Sequence, residues 1–166
     1  MSETEFLAWV GQTPLSVFMV QTPIAFSVCE TLHFIGLCLL IGALLIVDLR
    51  MLGLMRVITL RMALKFIPIA IIGFVINAVT GVMFFTSNPP GYWTNWMFWV
   101  KMALILAAGL NAVWFAVFEE RKVLAVPQGS DVDRATKISA GLSLGLWLLV
   151  LLAGRLLPLT QTLGNG

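Results

Sequence analysis

The run "CETLHFIG", residues 29–36, sets a thiol, a carboxylate, a hydroxyl and the chain's single imidazole inside one of its most apolar stretches. An ionisable side chain in hydrocarbon costs about 3 kcal/mol or more unless it has a partner or a task. His33 has three readings. It can be structural, hydrogen-bonded to the Asn77 amide. It can be an axial ligand to haem, using the room left by Gly36 and Gly73. It can join Cys29, one turn before it, and Met102 or Met83 around copper, since thiolate and thioether ligands select Cu(I). Glu30-x-x-His33 also has the spacing of half a di-iron carboxylate site, which only a symmetric dimer could complete.

Two further cations accompany this run. Glu30, Lys101 and Arg155 read in two ways: as a buried ion pair that fixes helix order, or as a cradle for an anionic ligand. Haem propionates and a quinone headgroup are such ligands, and an arginine fork suits a carboxylate. One histidine cannot bind haem b from both faces, so haem requires a dimer, a methionine as sixth ligand, or five-coordinate iron. There is no Ser–His–Asp set, phosphate loop, zinc spacing or pair of catalytic carboxylates.

The elements that carry these residues follow from composition. The 166 residues are 60% hydrophobic and 11% charged, and mean hydropathy is +0.98. A soluble domain is about 25% charged, so the solvent that fits this chain is lipid. A net charge of +2 without a basic run excludes nucleic acid. Cys29 and Cys38 point to nearly opposite sides of one helix, which argues against a disulfide. The acidic start, MSETEF, lacks the positive region of a signal peptide.

Four apolar blocks, 23–47, 66–85, 95–118 and 138–157, are each long enough to cross about 30 Å of hydrocarbon. The expected fold is an all-α bundle of four transmembrane helices in a domain spanning 23–158. Residues 1–22 form an interfacial N-terminal segment and 159–166 a tail. Ser2 and Glu5 have capping-box spacing, and Thr13-Pro14 and Thr22-Pro23 are helix starts. Residues 87–91 read as a tight turn. Leu52, Met55, Val57 and Leu60 read as an amphipathic surface helix with its arginines towards lipid phosphates. Arg50, Arg56, Arg61 and Lys65 follow the first span; Arg121, Lys122, Arg134 and Lys137 lie between the third and fourth. The positive-inside rule therefore places both termini in the periplasm and both basic loops in the cytoplasm of a bacterial inner membrane. Tyr92, Trp93, Trp96 and Trp99 mark the outer edge.

Counted from the outer ends, Arg155 lies about 3 Å deep, Lys101 about 9 Å, Glu30 about 10 Å, Asn77 about 12 Å and His33 about 15 Å. Every deep ionisable group thus falls in the outer half, and Asn111 is the inner half's only counterpart. Cys29, Glu30 and His33 share a face of the first span, and Gly73, Asn77 and Thr80 one of the second. Lys101 and Ala108 align on the third, Gly141, Gly145 and Arg155 on the fourth.

The run "LHFIGLCLLIGALLIVDLRMLGL", 32–54, with "TGVMFF" and "FWVKMALILAAGLN", resembles a bacterial family of small four-span inner-membrane proteins without assigned function. That resemblance covers most of 24–157 and points to His33, Asp48, Arg50 and Lys101. More distantly, a leading histidine before a small-residue stripe is similar to copper-resistance D-type and cytochrome b561-like membrane proteins. The leading expectation is a haem- or quinone-binding electron-transfer subunit with His33 as ligand. Lys101 and Arg155 would anchor acidic groups, and Glu30 and Asn77 would orient them. The alternatives are copper handling through Cys29, His33 and Met102, and a non-catalytic subunit of a larger membrane complex or homodimer.

Overall fold

The computed structural model describes residues 2–127 and 130–163. Among them every regular element is helical. Two short helices come first: α1 (Glu3–Gly11) and α2 (Pro14–Gln21). Ser2 and Glu5 close the expected capping box, with Ser2 N donating to Glu5 Oε2 at 2.6 Å. Thr13 Oγ1 accepts from Ser16 N at 3.3 Å, and Pro14 occupies the first helical position.

Four helices are long and apolar enough to cross a membrane. They are α3 (Pro23–Met51), α5 (Ile67–Ser87), α7 (Trp96–Trp114) and α9 (Arg134–Leu163). A short α4 (Leu60–Leu64) precedes α5; a π-helical turn (Phe115–Glu119) and α8 (Glu120–Ala125) extend α7. Between 11% and 28% of each span is buried inside the bundle. The remaining apolar surface needs a hydrocarbon solvent, which fits a multi-pass membrane protein in contact with lipid.

The helices pack in two pairs, α3 with α5 and α7 with α9, joined by α3 against α9. Gly36 and Gly73 bring the first pair together. A Cβ on Gly73 would lie 2.5 Å from Leu40 N and 2.6 Å from Gly36 O. At mid-height Leu40, Ala43, Ala70, Ala108, Trp147 and Val150 form the core.

The ends differ in chemistry. At one end α6 (Pro89–Trp93), capped by Asn88, replaces the expected tight turn. Trp93 and Trp99 meet edge to face at 4.8 Å, and Phe6 of α1 reaches Trp93 at 6.3 Å. Asn95 Nδ2 donates to Leu157 O at 3.1 Å, tying the start of α7 to the far part of α9. At the other end α3 stops at Gly53, whose φ of +87° suits glycine. Leu54 N donates to Leu49 O and Gly53 N to Arg50 O, the double closure of a Schellman turn. That turn corrects the expected amphipathic helix. The chain reverses at Gly53, so only 60–64 becomes helical.

Candidate functional site

His33 is half-buried on α3. Its Nδ1 lies 2.7 Å from Thr80 Oγ1, and its ring sits edge-on to Phe84 at 5.4 Å. The Thr80 hydroxyl has one proton, and it donates to Ile76 O at 2.7 Å. Thr80 must therefore accept from His33, so Nδ1 carries hydrogen and Nε2 presents its lone pair. A ring held this way is oriented as metal- and ligand-binding imidazoles are. Cys29 converges on the same residue: its Sγ donates to Thr80 O at 3.6 Å.

The expected partner of His33 is corrected here. Asn77 spends its amide on Gly73 O at 2.9 Å, and its Nδ2 would lie 2.6 Å from a Cβ on Gly36. Thr80, three residues on, meets the imidazole instead. The room expected beside Gly36 is filled by Asn77 and Ile76, and Gly73 is filled by the α3 backbone. Both glycines serve helix crossing.

Lys101 is half-buried on α7, with its Nζ 3.5 Å from where a Gly154 Cβ would stand. It makes no hydrogen bond or ion pair among the described residues, and His33 lies within its field. Glu30 and Arg155 are both exposed, and neither has a hydrogen-bonding or ionic partner among the described residues. The expected Glu30 pairing with Lys101 or Arg155 is thus not formed. Cys29 faces inward, and Glu30, 100° further round α3, turns out of the bundle. The methionines packed with Cys29 are Met19 and Met83; Met102 is half-buried on α7. The structure therefore unites His33, Cys29 and Thr80, puts Lys101 within electrostatic reach, and leaves Glu30 and Arg155 on the surface.

Comparison with family models, curated proteins and solved structures finds no match for the chain.

The expectation that Asn111 is alone in the other half is also corrected. Among the described residues the buried charged ones, Asp48, Arg50 and Glu119, all sit at the arginine end. One face of α9 meets its neighbours at three positions. Thr136 Oγ1 lies 2.6 Å from Glu119 Oε2, Ser139 and Asn111 exchange bonds of 3.0 and 3.1 Å, and Ser143 faces Asp48. Glu119 also takes Lys122 Nζ at 2.9 Å. Its inward aim depends on the π-helical turn. Asn111, Phe115, Glu119 and Val123 recur every four residues, and the wider π turn keeps that spacing on one face. The spacing of Thr136, Ser139 and Ser143 in an apolar helix was the available sequence signal.

Proposed function

We propose that the protein is a bacterial inner-membrane protein, with both termini outside, that binds a quinone headgroup between His33 and Lys101 in its outer half. The basic loops support the orientation, because cytoplasmic loops of membrane proteins are rich in Lys and Arg. The observation that carries the ligand reading is an acceptor in the electrostatic field of a donor: an imidazole Nε2 and an ammonium, neither with a hydrogen-bond partner among the described residues. A quinone offers carbonyl oxygens to the ammonium; a quinol offers hydroxyl hydrogens to the imidazole. The pair thus suits both redox forms. Both residues are half-buried, which leaves them open to a ligand arriving through lipid. A bound quinone would supply two-electron, two-proton redox chemistry. The protein's own task is to hold and orient it, with Thr80 fixing the ring of His33.

Haem fits less well, because the opening beside Gly36 is taken by Asn77. It would need the outer surface of α3 and a second copy for the sixth ligand. Copper is favoured by one observation, the convergence of Cys29 and His33 on Thr80 with Met19 and Met83 nearby. Glu30 and Arg155, without partners among the described residues, favour membership of a larger membrane complex, in which a neighbouring helix would neutralise them.

Protein purified in mild detergent, extracted with solvent and analysed for quinone, tests the proposal. Near-stoichiometric quinone is expected, and it should be lost in His33→Leu and Lys101→Met. A Soret band or stoichiometric copper would replace this reading with one of the others. An extract with no quinone, from protein showing neither signal, would end the quinone, haem and copper readings alike.

A further inference from the structure

The arginine end encloses a cavity of about 260 Å³, built from the chain after α3 and the segment through α8. Arg50, Arg56 and Arg61 line it, facing Val123, Leu124 and Val126, with no carboxylate among the described residues that line it. Its volume equals about nine waters at roughly 30 Å³ each, more than a bare ion requires.

Arg50 is the anomaly. Only 4% of its surface is exposed, and its guanidinium Nε donates to Ile58 O at 2.6 Å. Its terminal nitrogens have no hydrogen-bond or ionic partner among the described residues, and Arg61 has none either. Arg56 is committed elsewhere: Nε to Gly53 O at 3.1 Å, and Nη2 to Asp131 Oδ2 at 2.9 Å. Asp131 in turn accepts from Lys137 at 3.2 Å and also lies in the field of Arg50, so its one charge is shared among three cations. The cavity keeps a net positive charge. A nearly buried guanidinium offset only by a share of one carboxylate is poorly compensated, and its open fork matches two oxygens of a phosphate or carboxylate. The basic side of a membrane protein is also where anionic lipid headgroups concentrate.

We propose that this cavity is a phosphate-ester site. Arg50 and Arg61 hold the phosphate oxygens, and the apolar wall covers the rest of the molecule. That amphipathic lining favours an anionic phospholipid; a soluble phosphorylated compound offers the same oxyanion. This site lies at the opposite end of the spans from His33 and does not depend on the quinone reading.

The test uses the full chain in detergent micelles. Native mass spectrometry measures retained phosphatidylglycerol against phosphatidylcholine, and calorimetry measures the heat of inorganic phosphate. Retention of phosphatidylglycerol, with phosphatidylcholine washed away, establishes a lipid source. Heat from phosphate with no preference between lipids establishes a soluble one. In either case Arg61→Gln should weaken binding roughly tenfold, the effect of one charge-assisted hydrogen bond, and Arg50→Lys should also weaken it by removing the fork. Lys65→Gln, an exposed cation outside the cavity, should leave binding unchanged. Arg61 is exposed, so its variant is expected to fold even if Arg50→Lys does not. The proposal is overturned if the wild type neither prefers phosphatidylglycerol nor takes up phosphate. It is equally overturned if Lys65→Gln weakens binding as much as Arg61→Gln.

Discussion

Replacing Gly73 with alanine tests the helix crossing that positions His33. The new Cβ would stand 2.5 Å from Leu40 N and 2.6 Å from Gly36 O, whereas ordinary contact begins near 3.4 Å. Both obstacles are backbone atoms in the middle of α3, so no side chain can swing aside. The two helices must part by about 1 Å, and a gap of that size forfeits roughly a quarter to a half of each dispersion contact across it. Overpacking of this kind costs about 1–3 kcal/mol. Alanine's better helix propensity returns about 0.5–1 kcal/mol. Gly42→Ala is the reference, since nothing lies within 4 Å of its added methyl; it should gain the propensity term alone. Reversible unfolding in mixed micelles should therefore rank Gly42→Ala above wild type and Gly73→Ala below it, the two variants about 1–3 kcal/mol apart. Equal stabilities would refute the α3–α5 contact.

Three further outcomes follow from particular groups. Thr80→Val keeps the shape but leaves His33 Nδ1–H without an acceptor; a loss of about 1–3 kcal/mol is expected in the same unfolding assay. Asp48 is 2% exposed and its Oδ2 has no hydrogen-bond partner among the described residues, so Asp48→Leu should stabilise the fold by about 1–3 kcal/mol; a destabilised variant would contradict this. The hydrogen bond from Lys137, with Arg56 adding to it, holds the Asp131 carboxyl below the usual carboxylate range. Its contribution is complete above the ordinary aspartate value of about 3.9 and fades as pH falls through the lower folded value. Proteolysis beside Asp131 should accelerate on acidification below about pH 4, and Asp131→Asn should show the faster rate already at neutral pH.

Much of the fold is legible in the sequence because hydrocarbon imposes so few solutions. Length and hydropathy place four spans, and Ser2, Thr13 and Pro14 begin helices where capping chemistry says they should. The ends are less legible. Hydropathy marks where apolar residues stop, but α3 runs on to Met51 and α9 begins at Arg134, because a helix continues until a cap such as Gly53 ends it. Those extra turns carry Asp48, Arg50 and Thr136 into the bundle. The candidate site is legible as residue types and only partly as neighbours. Periodicity puts His33 and Cys29 on a common surface, yet a rotation of 100° separates buried Cys29 from exposed Glu30. The choice of Thr80 over Asn77 was set by how closely Gly36 and Gly73 let two backbones approach, a distance that no single helix encodes.

The central claim is that His33 donates through Nδ1 and keeps Nε2 open for a ligand beside Lys101. With one histidine in the chain, nitrogen NMR of protein labelled only at histidine reads that ring without ambiguity. Nδ1 bearing hydrogen, and a bare Nε2 resonance that moves when a quinone is added, is the predicted result. Hydrogen on Nε2, or a resonance indifferent to quinone at saturating concentration, would contradict it.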